Sequence, residues 1–168
     1  GVGLRGVSVA ATVCVLALAC ATGCSARRMA MGAVADALGG AGGGSFASDD
    51  DPELVRDAIP FGLKLYETLL ESTPEHRGLL VAAARGFASY AYLLQDDASR
   101  LEASDREGAR ALRQRASRLY LRGRDYALRG LEVAHPGFGA ALGTDPAAAL
   151  ARTGHDDVPL LYWAAAGQ

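Results

Sequence analysis

Residues 76–95 read HRGLLVAAARGFASYAYLLQ, and this apolar stretch decides the fold. Its apolar residues recur at spacings of three and four along two adjacent lines: Leu80, Ala84, Phe87, Ala91 and Leu94, and Leu79, Ala83, Gly86, Tyr90 and Leu93. That spacing is typical of an α-helix. Because apolar side chains cover nearly the whole circumference, we expect this helix to be the central and most buried element.

A second helix is predicted just before this stretch. Asp51 is placed as its N-cap, Pro52 at its first position and Glu53 in its first turn, where a carboxylate suits the helix dipole. Its apolar residues again form two stripes: Leu54, Ala58, Phe61, Leu65 and Leu69, and Val55, Ile59, Leu63, Tyr66 and Leu70. We expect Pro60 to kink or split this helix, because proline lacks the backbone N–H.

A third, longer helix is predicted at about 105–134, after a polar linker at 96–104. Residues 104–134 hold eight arginines against four acidic residues, a local charge of +4. A basic helix of this kind can bind nucleic acid or anionic lipid. We favour instead a solvated helix face that pairs with acidic neighbours, because no aromatic residues are interleaved with the arginines. His135-Pro136-Gly137 ends this helix, and two shorter ones start at Asp145-Pro146, with Thr144 as cap, and at Val158-Pro159.

These patterns predict an all-α fold. Antiparallel helical hairpins with short turns are typical of a stacked, tetratricopeptide-like repeat array, although a 34-residue period is absent. We assign residues 49–168 to this helical domain. The apolar stretch at 158–166 needs a partner to bury it, so we expect the domain to be the amino-terminal part of a longer protein.

The amino-terminal residues predict export. An uncharged apolar run after Arg5 ends in Ala-Thr-Gly-Cys, so we interpret residues 1–23 as a lipoprotein signal peptide and Cys24 as the lipid attachment site. Cys20 is the alternative attachment site, and a cleaved soluble protein or an uncleaved membrane anchor are the alternative processing outcomes. Residues 24–48, with five glycines between 39 and 44, form a flexible tether.

Composition limits the function classes. Half of the 168 residues are hydrophobic and the net charge is −2, so nucleic acid is not an expected partner. Cleavage before Cys24 would leave one cysteine, already lipidated, so no disulfide framework is expected. The core must therefore be held by apolar packing.

Several short motifs together resemble the T component of tripartite ATP-independent periplasmic (TRAP) transporters. They are residues 48–65, SDDDPELVRDAIPFGLKL, residues 76–80, HRGLL, Gly86-Phe87 with Tyr90-Ala91-Tyr92, the arginine and tyrosine pattern at 118–127 with Leu131 and Pro136-Gly137-Phe138, and residues 158–163, VPLLYW. The resemblance runs from the signal peptide to the end of the sequence.

The resemblance implies a lipid-anchored periplasmic protein of helical hairpins that associates with the solute-binding P component of a TRAP transporter. It also implies a homotrimer as one assembly, an apolar cavity suited to a hydrophobic ligand, and neither a cofactor nor a catalytic role. Ser25 after Cys24 favours the outer membrane. The alternative function is a structural helical-repeat lipoprotein that acts as a scaffold in envelope assembly.

Five residues are ligand-lining candidates. Tyr66, Phe87, Tyr90 and Tyr92 supply aromatic area suited to an apolar guest, although ordinary core packing explains the same residues. Arg85 interrupts an apolar helix, where an unpaired charge is costly. We expect it to pair with a carboxylate such as Asp57 or Glu67, or to face a wet cavity.

The sequence argues against an enzyme. His76, His135 and His155 are scattered near turns, with no Ser or Cys nucleophile in a recognisable setting and no His pair at metal-ligand spacing. His155-Asp156-Asp157 is interpreted as a polar loop rather than a metal cluster, because it supplies too few ligands. No metal or catalytic site is predicted.

Overall fold

The computed structural model describes residues 32–34 and 49–167, and the second range is almost entirely helical. The helices are α1 (Pro52–Ser72), α2 (Arg77–Leu101), α3 (Arg106–Ala134), α4 (Phe138–Thr144), α5 (Pro146–Ala151) and α6 (Val158–Ala166), with a 3-10 turn (His155–Asp157) before α6. The described residues contain no strand, so the predicted all-α class is confirmed. The tetratricopeptide-like stacking stays a prediction. The predicted signal peptide, Cys24 and nearly all of the tether lie outside the described residues.

Helix α1 begins as the sequence predicts. The Asp51 carboxylate accepts hydrogen bonds from the backbone N–H groups of Glu53 (3.1 Å) and Leu54 (3.0 Å). Pro60 does not split the helix, which continues to Ser72. A proline removes one hydrogen bond of the ladder, and the buried leucines of the following turns hold the helix together across that gap.

Helix α2 is the central element, as predicted. Ten of its residues are buried, more than in any other described helix, and it packs against α1, α3 and α6. Leu63, Leu69 and Leu70 of α1 meet Leu79, Leu80 and Phe87 of α2 in one apolar cluster. The core therefore lies along both sides of α2.

The predicted end of α2 at Gln95 is wrong, since the helix runs to Leu101. Ala98 is fully buried, which gives the extra turns a packed side. Their polar residues form ion pairs, between Arg100 and Asp96 one turn apart and between Arg56 of α1 and Asp97. Most of the predicted polar linker is therefore helix, and four residues, 102–105, make the turn.

Helices α2 and α3 form an antiparallel hairpin. Glu102 pairs with Arg113 near the turn, while Gly123 lies against Ala84 farther along both helices. A Cβ atom on Gly123 would lie 2.9 Å from the carbonyl oxygen of Ala84, so the glycine permits a close approach of the two backbones. Asp105 caps α3 by accepting from Gly108 N (2.9 Å).

The turn after α3 leads to a short helix that the sequence analysis did not predict. Gly137, with a φ of 80°, makes the turn in the left-handed conformation that favours glycine, and α4 follows directly. Thr144 is not the cap of α5 as predicted. Its hydroxyl donates back to the carbonyl of Ala140 (3.2 Å), and Asp145 caps α5 by accepting from Ala148 N (3.0 Å).

Helix α6 begins at Val158, as predicted, and packs antiparallel to α3. Leu160 lies against Gly130, and Gly167, just after α6, lies against the carbonyl of Tyr120. This supplies the buried partner that the apolar stretch requires. Within residues 32–34 and 49–167, no helix has both the length and the hydropathy needed to span a membrane.

Candidate functional site

A small cavity lies between α1 and α2, with a volume of about 120 Å³. Its walls are mainly apolar, and Tyr66, Arg85 and Ser89 add polar atoms. Gly86 lets Leu63 of α1 pack closely against α2 beside this cavity, because a Cβ atom there would lie 2.7 Å from Cδ2 of Leu63. The cavity is a cleft that a small amphipathic molecule could enter. The lining residues are Ile59, Gly62, Leu63, Tyr66, Ala82, Arg85, Gly86 and Ser89.

The structure brings together two of the five predicted ligand-lining residues, Tyr66 and Arg85. Phe87 is buried in the core, where its ring stacks on that of Tyr126 with centroids 5.6 Å apart. Tyr90 packs partly buried between two core clusters, with the guanidinium of Arg115 over its ring. Tyr92 lies on a different surface, described below. Helical spacing alone does not show which partner helix each side chain of α2 meets.

Arg85 lines the α1–α2 cavity. One of its two expected carboxylate partners, Glu67, has three other partners. Glu67 is 9% exposed and accepts hydrogen bonds from Lys64 Nζ (2.6 Å) and Tyr126 Oη (2.8 Å), and it also pairs with Arg122.

The surroundings of Glu67 favour its charged form. Burial alone would raise the pKa of this carboxyl, but the hydrogen bonds from Lys64 and Tyr126 and the charge of Arg122 outweigh burial and hold the pKa below its usual value. Burial and the Glu67 carboxylate raise the pKa of Tyr126. This cluster joins α1 to α3 and sits beside the core, so we interpret it as structural.

A second buried carboxylate, Asp157, ties three parts of the chain together. His135 Nε2 lies 2.7 Å from its Oδ2, Arg77 Nη2 donates to its Oδ1 (2.6 Å), and Gly154 N donates to its Oδ2 (2.9 Å). Burial would raise the pKa of Asp157, but these partners outweigh it and lower the pKa. The predicted polar loop is thus a 3-10 turn with a buried anchor, a role that local sequence does not reveal.

The described residues hold no group of three or more His, Cys, Asp or Glu side chains placed to bind a metal ion. Asp157 is occupied by His135, Arg77 and Gly154, as given above. Its neighbour His155 is exposed.

The basic helix α3 is paired in part, in the way that the sequence favours. Arg113 pairs with Glu102 and Arg122 with Glu67, and Arg124 pairs with Asp125 of the same helix. Arg129 donates to the backbone carbonyl of Pro74 (2.6 Å). Arg113, Arg122 and Arg129 therefore connect α3 to other segments of the chain.

A groove between α2 and α6, which we call the aromatic groove, is lined by four aromatic side chains and has a volume of about 430 Å³. Tyr92 comes from α2, Tyr120 from α3, and Tyr162 and Trp163 from α6. In the sequence, Tyr162 and Trp163 were identified only as part of the motif VPLLYW at residues 158–163. The sequence pattern that could have identified them as site residues is a pair of adjacent aromatic residues in a short, mostly apolar helix.

The chain is similar in sequence to known proteins. The model of the family described as TRAP transporter T-component matches residues 48–168. An uncharacterized protein of Treponema pallidum (strain Nichols) is 38% identical over 127 residues, which cover 73% of this chain and 39% of that protein. The chain thus spans about two fifths of the length of this relative.

Proposed function

The chain belongs to the family of TRAP transporter T-components, and from that membership we propose that it is a periplasmic accessory protein that associates with the solute-binding component of such a transporter. The observation that carries this proposal is the family match, which extends over the whole helical body from α1 to α6. The all-helical architecture supports it, because stacked helices offer extended surfaces to a protein partner.

The outer face of α1 is our proposed contact for the solute-binding component. Leu54 and Phe61 are seven residues apart, so they lie on one side of the helix, and they are 59% and 75% exposed. Ala58, between them, is partly exposed too. Large apolar side chains on one exposed face are a feature of protein-binding surfaces.

Membrane attachment is the second part of the proposal. We propose that Cys24 carries the lipid and that residues 24–48 tether the helical body to the membrane, with the outer membrane favoured by Ser25. Support comes from the pattern of residues 1–24 alone. A tethered body reaches a soluble partner without leaving the membrane.

The α1–α2 cavity is our proposed site for a hydrophobic or amphipathic ligand. Its apolar walls and the guanidinium of Arg85 are suited to a small molecule with an apolar body and an acidic end. A cavity of about 120 Å³ admits only part of a larger ligand. A homotrimer remains a further prediction of the family resemblance.

Co-purification tests the partner. The tagged protein should retain a periplasmic solute-binding protein from the cells that produce it, and the substitution Phe61→Asp should reduce that retention at least about tenfold, because it places a charge in an apolar contact. The control is Leu150→Asp, which changes an exposed leucine on α5. If no solute-binding protein is retained by the unsubstituted chain, the transport proposal is refuted and a scaffold role in the envelope becomes the better explanation.

A further inference from the structure

Two aromatic rings of the aromatic groove meet edge to face. The rings of Tyr162 and Trp163 are perpendicular, with an interplanar angle of 84° and centroids 4.8 Å apart. They therefore present two walls at right angles. Tyr92 and Tyr162 are 64% and 62% exposed, so aromatic surface on both sides of the groove is open to solvent.

Tyr120 is held in place at one side of the groove. Its Oη donates to Oε1 of Gln95 (3.1 Å), which fixes its ring against α2. Burial, together with the nearby Tyr92, raises the pKa of Tyr120. Its phenol is therefore uncharged at neutral pH.

The electrostatics of this groove favour a cation. Aromatic faces carry a negative potential that attracts positive charge. Among the described residues, those that line the groove carry no charged side chain: besides the four aromatic ones they are alanine, serine and leucine. No arginine or carboxylate of the lining thus competes for the rings. A primary ammonium would lose strong hydration here, whereas a methylated ammonium loses little and contacts the rings through its methyl groups.

We propose that the aromatic groove binds a quaternary ammonium group, as found in choline. The site is built from Tyr92, Tyr120, Tyr162 and Trp163. This inference does not depend on the proposed transporter partner or on the α1–α2 cavity. The ligand is either a free trimethylammonium compound or a lipid headgroup that carries one, since both present the same cation.

A titration of the purified chain with choline chloride tests the charge requirement. Calorimetry gives the affinity, and the fluorescence of Trp163, the only tryptophan of the chain, places the ligand at the groove. The matched probe is 3,3-dimethylbutan-1-ol, which has the same shape without the charge, and sodium chloride controls for ionic strength. We expect saturable choline binding that is at least about tenfold tighter than that of the alcohol. Equal binding of both probes, or no saturable choline binding, would overturn the proposal.

Substitutions then test the residues. Tyr92→Leu and Tyr162→Leu each remove one exposed ring and should weaken choline binding by about twofold to tenfold. Leu150→Ala is the control, because it shortens an exposed apolar side chain on α5, away from the groove. Circular dichroism checks that each variant keeps its helices. Unchanged choline affinity in both tyrosine variants contradicts the proposed site.

Vesicle flotation distinguishes the two sources of the cation. A chain with Cys24→Ala, which cannot be acylated at that position, is mixed with vesicles of phosphatidylcholine or phosphatidylethanolamine. Preferential flotation with phosphatidylcholine that free choline reverses supports a lipid headgroup, whereas choline binding without that preference supports a soluble ligand. Equal flotation with both vesicle types and no choline binding refutes a quaternary ammonium site.

Discussion

Gly123 lets α3 approach the backbone of α2. A Cβ atom there would lie 2.9 Å from the Ala84 carbonyl oxygen and 3.3 Å from Ala88 N, and both are backbone atoms that move only with the helix. Gly123→Ala should therefore lower the free energy of unfolding by about 1–3 kcal/mol, measured by urea denaturation.

The matched control for Gly123 is Gly143 in α4, where an added Cβ meets nothing within 4 Å. Gly143→Ala should leave stability unchanged or raise it by up to about 1 kcal/mol, since alanine favours the helix. If both substitutions have the same effect on stability, the close approach of α2 and α3 is not the reason that position 123 requires glycine.

The polar contacts of Glu67 should also contribute to the stability of the fold. Glu67→Gln keeps an acceptor for Tyr126 but removes the negative charge that Lys64 and Arg122 contact. We expect a loss of about 1–3 kcal/mol at pH 7. Glu71→Gln, which changes an exposed carboxylate one turn away, should cost less than about 0.5 kcal/mol.

The effect of Glu67 should depend on pH. Because the pKa of Glu67 is lowered in the folded protein, its stabilisation is present above the pKa of the unfolded chain and is lost as pH falls through the folded pKa. The difference between Glu67→Gln and the unsubstituted protein should shrink as the pH falls through these two pKa values. Urea denaturation at a series of pH values measures it, and a difference that stays constant would show that the charge is not involved.

At the scale of elements, Asp157 connects α6 to the remainder of the bundle. Its carboxylate contacts the side chains of Arg77, at the start of α2, and of His135, just after α3. The local sequence pattern predicted that α6 starts at Val158. It did not show which contacts hold α6 against the other helices. One buried carboxylate, shared by three segments, fixes where α6 begins.

Asp157→Asn should therefore loosen α6 more than it unfolds the bundle. The amide cannot accept both Arg77 and His135 with the same strength, so we expect amide hydrogens of α6 to exchange about tenfold faster or more. Asp156→Asn is the control, because the side chain of Asp156 is exposed. Equal exchange in the two variants would show that Asp157 does not anchor α6.

At the scale of the whole molecule, three long helices and α6 enclose the core and leave the outer face of α1 and the aromatic groove open. Both surfaces carry large exposed apolar side chains. They lie on different helices, so the proposed partner protein and the proposed ligand would not compete for the same surface.

The predicted anchor gives a test at the same scale. Cys24→Ala should prevent palmitate labelling of the protein and move it from the membrane fraction to the soluble periplasmic fraction, because an acyl chain contributes about 0.8 kcal/mol per buried methylene to membrane binding. Cys20→Ala should leave both properties unchanged. The opposite pattern in the two variants would make Cys20 the attachment site.

The sequence by itself determined the all-α class, the cap at Asp51, the central place of α2 and the family. Each of these follows from local periodicity, capping chemistry or a motif read along one segment. Only the tertiary structure decided that α2 extends to Leu101, that Asp157 is buried, and that Tyr66 and Arg85 share a cavity while Tyr92 joins Tyr162 and Trp163. The physical reason is that the spacing of apolar residues shows which face of a helix is apolar. Which side chains of other helices contact that face depends on how helices distant in the sequence pack together.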